Sequence, residues 1–204
     1  MTAKLSGNDL TLFRGDRCLF RHLDFALNAG ELLLLEGQNG SGKTSLLRAI
    51  AGLIELETGS VSWNGVAVLE QRESFHNSLA WMAHRVGFKA DLTVLENLQF
   101  ESALRPQSDR ELDEIFSRLG IGRLGRLPMR ALSAGQQRRI ALARMLMSAA
   151  ELWIMDEPFT NLDRDGRALV IELVSEHLSR DGMALIAAHQ DIDLDVPMQI
   201  IKLQ

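Results

Sequence analysis

Residues Gly37 to Thr44 read Gly-Gln-Asn-Gly-Ser-Gly-Lys-Thr, the spacing G-x-x-x-x-G-K-[ST]. In such a loop successive backbone N–H groups, here from Gly37 through Gln38, Asn39, Gly40, Ser41 and Gly42, turn inward and form an anion nest. A helix that starts directly after it adds the positive end of its dipole. Lys43 brings a mobile positive charge to the β- and γ-phosphates, and the Thr44 hydroxyl is placed to hold Mg²⁺. Gly37, Gly40 and Gly42 let the backbone approach phosphates with no Cβ in the way. These residue types in this order point to nucleotide binding.

Two more stations have residue types suited to the same chemistry. Leu152-Trp153-Ile154-Met155-Asp156-Glu157 is an apolar run ending in two carboxylates. Asp156 would hold Mg²⁺, directly or through water, and Glu157 would polarise an attacking water as general base. Two acids closing a strand on a solvated edge is the plainer alternative, and the phosphate loop upstream weighs against it. Leu132-Ser133-Ala134-Gly135-Gln136 opens a helical stretch. Ser133 and Gln136 have capping-box spacing. The same helix start exposes N–H groups that suit a second anion. Capping alone favours the structural role.

These stations need a scaffold. The apolar strand Glu31 to Glu36 leads into the glycine loop, and a helix is expected from Thr44 to Ile50. Leu10 to Phe13 and Leu23 to Leu27 alternate, so antiparallel strands open the chain. Gly59 to Asn64 reads as a strand before a turn at Gly65, and Leu79 to Ala83 as a buried strand. From Thr93 to about Ser148 the apolar spacing becomes helical, through Leu95, Leu98, Phe100 and Leu104, then Leu112, Ile115, Phe116 and Leu119. Strands at Leu152 to Met155 and Ala184 to Ala188 flank a helix from Arg164 to Ser179. The order is α/β with a helical insertion.

The 204 residues suffice for one core and a small subdomain; 46% are hydrophobic and 24% charged. A formal net charge of −5 without a basic tract makes nucleic acid a poor expected partner. Cys18 is the only cysteine, which excludes an internal disulfide. Neither a secretory signal nor an apolar run of ~20 residues is evident, so work at a membrane would require another chain to hold this one there.

The phosphate loop, Leu-Ser-Ala-Gly-Gln, Asp156-Glu157, Asn161-Leu162-Asp163 and His189 together, in this order and spacing, resemble an ABC-transporter nucleotide-binding domain across nearly the whole chain. The resemblance implies a P-loop NTPase with a RecA-like core, an antiparallel β subdomain and an inserted α-helical subdomain at about 93–148, all in one ABC-type domain over 1–204. It implies ATP and Mg²⁺, and a head-to-tail homodimer. Each ATP would lie between the phosphate loop of one copy and Ser133, Gly135 and Gln136 of the other. His189 would be the switch histidine beside the γ-phosphate; a structural residue ending a strand is its alternative. Asp163 would contact the partner copy, and it also suits a helix N-cap. Phe13 would stack on adenine, although Phe20 lies nearby and either could be core.

One position departs from the family pattern. His84 stands where the family has glutamine ahead of Leu92-Thr93-Val94-Leu95-Glu96-Asn97, and neutral imidazole offers one ring nitrogen instead of a carbonyl. His84 is therefore left out of the metal ligands, with a coupling role toward a membrane partner implied. Short length, Ala134, Gln137-Arg138-Arg139 and His84 are similar to the haem-exporter ATPase subfamily of bacterial cytochrome c maturation. That similarity implies a peripheral subunit at the cytoplasmic face of the inner membrane, working with integral membrane subunits in ATP-driven release of a haem-loaded periplasmic chaperone. A permease for another substrate, or an ABC ATPase acting on ribosomes or DNA, are the alternatives.

Overall fold

A computed structural model describes residues 4–189 and 196–203. Two sheets carry the chain. The first is antiparallel, in the order β2-β1-β4-β5, from β1 (Lys4–Arg14), β2 (Arg17–Asn28), β4 (Thr58–Trp63) and β5 (Val66–Ala67). Asn64 and Gly65 both have positive φ, as a two-residue hairpin turn requires, and they close β4 onto β5. The second sheet is parallel, in the order β6-β7-β8-β3-β9, from β6 (Leu79–Met82), β7 (Leu152–Asp156), β8 (Met183–Ala188), β3 (Leu32–Glu36) and β9 (Met198–Lys202).

Strand alternation splits the apolar residues between two cores. Leu32, Leu34, Trp153, Met155, Ala184 and Ile186 face one cluster, while Leu33, Leu35, Leu152, Ile154, Met183 and Leu185 face the other. The first cluster is completed by the helices α3 (Val94–Ser102), α4 (Leu112–Arg118), α5 (Ala134–Met147) and α6 (Arg164–Ser179). The second is completed by α1 (Lys43–Ile50), α2 (Arg72–Asn77) and the inner face of the antiparallel sheet. Apolar runs with both faces buried are what a parallel sheet demands.

The expected strands and α6 are present, and the structure adds α2, β5 and β9. The helical spacing fails at one point. α3 ends at Ser102, and Phe100 and Leu104 are 49% and 61% exposed instead of buried. The capping box of Thr93 and Glu96 sets the α3 start, and Leu98, not Phe100, fills the core.

The helical insertion is clasped to α6 by charge. Arg110 and Arg118 of the insertion lie 2.6 and 2.5 Å from the carboxylate of Glu176 on α6, and Arg180 at the end of α6 itself adds a third cation at 2.9 Å. Burial pushes the Glu176 pKa up, but bonds from Arg118 and Arg110 outweigh it and hold the carboxyl below its usual range. A folded pKa below the unfolded one contributes stability above the unfolded value near 4.5, lost as pH falls through the folded value. Glu176→Gln is expected to lower Tm at about pH 7, with the gap from the parent closing in acid. Melting curves at neutral and acid pH check this; a gap constant with pH would refute it.

Candidate functional site

The parallel sheet aligns the C-terminal ends of four adjacent strands, where open α/β sheets bind ligands. Residue pairing sets Glu36 against Ala188, Asp156 against Ala187, and Met82 against Met155. Gly37, His189, Glu157 and His84 each follow one of these strand ends. Residues distant in sequence therefore meet at one rim.

α1 has Gly42 at its N-cap, at φ 104, and no side-chain cap occupies its leading N–H groups. Only glycine adopts that φ without strain. Gly37 answers a different demand, since a Cβ there would lie 2.4 Å from Ser41 Oγ and 2.5 Å from the Leu203 carbonyl oxygen. The loop is pinned against the end of β9.

Lys43 is only 6% exposed. Its ammonium donates to the Gly37 and Gln38 carbonyls at 2.7 and 3.1 Å. It also lies 3.3 Å from His189 Nδ1 and 3.7 Å from Glu157 Oε1. His189 Nε2 stands 2.9 Å from Glu157 Oε1, and its Nδ1 is 3.1 Å from the Gly37 carbonyl. Lysine, histidine and glutamate thus form one cluster over the loop. Burial pushes the Glu157 carboxyl up from its ordinary pKa, with His189 and Lys43 pulling the other way. A raised pKa suits a base that must accept a proton. Glu157 also has φ 53. A non-glycine residue in that region costs on the order of 1–3 kcal/mol, and such strain gathers at working sites.

Thr44 Oγ1 donates to Asp156 Oδ2 at 2.8 Å, and Asp156 is 3% exposed. These two oxygens converge below the loop. Among the described residues no cluster of three or more His, Cys, Asp or Glu is built for a metal. A hard dication that keeps waters and takes phosphate oxygens needs only such a sparse protein set.

The structure separates the two candidate anion stations. Glu36, Gly37, Asn39, Ser41 and His189 line one cleft of about 840 Å³. Ser133, Gly135, Gln136, Asn161 and Asp163 line another of about 800 Å³, with no lining residue in common. Ser133 and Gln136 form the full capping box at the start of α5. Asp163 caps α6 by accepting from the Gly166 N–H at 2.8 Å. The structural role assigned to each is thus present, and both remain at a surface where a second molecule can reach them. A Cβ on Gly135 would lie 3.2 Å from the Asn161 carbonyl oxygen, so the start of α5 and the segment at Asn161 nearly touch.

Phe13 is half-buried on β1 with the Arg21 guanidinium 5.5 Å from its ring centre, while Phe20 is buried. Of the two aromatics, Phe13 keeps surface for a base. His84 is exposed, and it lines a groove of about 720 Å³ together with Thr44, Asp156, Arg48, Leu53 and Arg105. Sequence reading assigned no role to Arg138, which is 4% exposed and reaches both Asp156 and the peptide of His84 through main-chain carbonyls.

Known proteins resemble this chain in sequence and fold. The ABC transporter family matches residues 20–160. The chain is 42% identical over 195 residues to the cytochrome c biogenesis ATP-binding export protein CcmA of Vibrio cholerae, covering 95% of this chain and 94% of that one. It is 45% identical over 192 residues to the CcmA of Haemophilus influenzae, covering 93% and 90%. Among solved structures, an ABC transporter ATP-binding protein from Pyrococcus furiosus superposes with a TM-score of 0.84 at 22% identity, over 97% of this chain and 96% of that one. The ADP conformation of an ATP-binding cassette of an ABC transporter gives 0.79 at 21%, over 100% and 90%.

Proposed function

The chain belongs to the ABC transporter ATP-binding family, and on that premise we propose that it hydrolyses MgATP as the peripheral subunit of a membrane complex in c-type cytochrome biogenesis. The separation of the two anion clefts carries the assembly part of this reading. Neither cleft alone offers both the phosphate loop and the Ser133 helix start. Two copies related by a head-to-tail two-fold would bring each loop against the other copy's helix start and complete two shared sites. The domain is taken as one unit over 1–204, with its helical subdomain at about 93–148.

In this assembly the loop amides and Lys43 hold the β- and γ-phosphates, and Phe13 stacks on adenine. Ser133, Gly135 and Gln136 close the phosphate from the partner copy, and Asp163 meets the partner's surface. Thr44 and Asp156 would hold Mg²⁺, which when bound offsets phosphate charge. Glu157 orients and deprotonates water, and His189 fixes the carboxylate from 2.9 Å. Substrate-level assignment rests on the relatives named cytochrome c biogenesis export proteins. It extends to a subunit at the cytoplasmic face of a bacterial inner membrane that uses ATP to drive release of a haem-loaded periplasmic chaperone.

No helix among the described residues is long and apolar enough to cross a membrane. The groove beside His84 suits a membrane partner's cytoplasmic segment, since Leu53 in its wall is 58% exposed and Arg48, Arg105 and Glu101 offer charge on its rim. Purifying the chain from membranes with its bound integral subunits tests the assignment. Haem-handling subunits are expected; a sugar, lipid or metal permease would overturn it.

A further inference from the structure

Arg138 lies one turn into α5, the helix that begins at Ser133. A buried guanidinium is ordinarily matched to a carboxylate. Arg138 instead spends its three nitrogens on main-chain carbonyls. Nη1 donates to the carbonyls of Ala83 and His84 at 3.0 and 3.4 Å, just beyond β6. Nη2 donates to those of Asp156, at 3.1 Å, and Glu157, and Nε to that of Pro158 at 3.2 Å. One planar fork therefore spans the ends of two neighbouring strands.

The turn it grips is the strained one. Glu157 sits at φ 53, and its N–H is tied to the Ala187 carbonyl at 2.9 Å. The Thr160 N–H returns to the Glu157 carbonyl at 3.3 Å. Three consecutive carbonyls pointing at one cation fix the peptide planes on both sides of Glu157, and with them the direction of its side chain. The same fork holds the peptide of His84. Lysine could not reproduce this, because a point charge lacks the rigid spread of donors.

We propose that Arg138 is a positioning residue for hydrolysis: it holds the Glu157 turn in its working shape and locks it to the end of β6 and to the Ser133 helix. The group never touches nucleotide; it acts through the main chain of the base. This rests on the ATPase reading for its kinetic consequence, and on geometry alone for its structural one.

The test uses the full chain with Arg138→Gln and Arg138→Lys. Arg118→Gln serves as a control for lost stability, since Arg118 belongs to the α6 clasp. Arg138→Gln is expected to lower kcat for ATP by about 10²-fold with KM within about two-fold, because the base is misplaced while the phosphate cradle is intact. Arg138→Lys should recover only part of that loss. Arg118→Gln should lower Tm without this kinetic signature. Independently of turnover, amide exchange at Glu157 and Thr160 in the nucleotide-free chain should accelerate in Arg138→Gln by more than Arg118→Gln produces. Parental kcat in Arg138→Gln, or a loss confined to KM, overturns the proposal. Unchanged exchange at both amides overturns it as well, whatever the turnover. A parental chain that hydrolyses no ATP would instead sink the ATPase reading, with the exchange result still deciding Arg138.

Discussion

Glu157→Gln is expected to lower ATP turnover by about 10²- to 10⁴-fold while nucleotide binding survives. The amide keeps the size of the side chain and can still face His189, but it cannot take a proton from water. Bound ATP is then not consumed, so a two-copy assembly should accumulate with ATP and elute earlier than the nucleotide-free chain on size exclusion. Stability should move the other way. Burial raises the folded pKa of Glu157, so its contribution is fully present below the unfolded pKa and is lost as pH rises through the folded value. Near neutral pH the ionised carboxylate is thus a cost that glutamine removes, and the variant is expected to melt higher than the parent. The acid limb of the parental rate profile should lie above the ordinary carboxylate range for the same reason. Parental turnover in the variant would show that another group activates water.

Lys43→Met should abolish nucleotide-dependent stabilisation. With ATP at about 100 times its Kd, a binding-competent chain gains about 2.7 kcal/mol, and its Tm rises accordingly. Without the ammonium, the γ-phosphate would lose a buried cation, and about 10²- to 10³-fold in turnover should go with it. The Lys43 ammonium also donates to the Gly37 and Gln38 carbonyls at 2.7 and 3.1 Å. Its substitution should therefore also loosen the loop, and Glu157 would lose one of the charges that hold its pKa down. A parental ATP-induced shift in Tm for Lys43→Met would remove Lys43 from the phosphate site.

Much of the architecture was legible because the parallel strands bury both faces. Leu32 to Leu35, Leu152 to Met155 and Ala184 to Ala188 read as continuous apolar runs, and each is followed within two residues by a candidate site residue: Gly37, Asp156 and His189. The bounds of α6 followed from Asp163 as its cap and the spacing after it. What escaped has no such pattern. α2 buries only Phe75 among its six residues, so no period forms. β9 is partly exposed along its length and, among the described residues, pairs only with β3. Phe100 continued an apolar count that the helix itself does not follow. Arg138 was invisible as a functional residue because its partners are carbonyls, which every residue possesses; only the folded chain shows which ones converge.

The two clefts that share no wall also set an order of reaction. In the proposed head-to-tail pairing a monomer holds half of each shared site, so specific activity at low protein concentration should rise with the amount of chain present until pairing saturates. Tethering two copies to one integral complex would replace that dependence with a fixed local concentration, in the millimolar range for a short flexible connection. Stray copies in bulk solution would then waste little fuel, and the energy would be released mainly where cargo is handled.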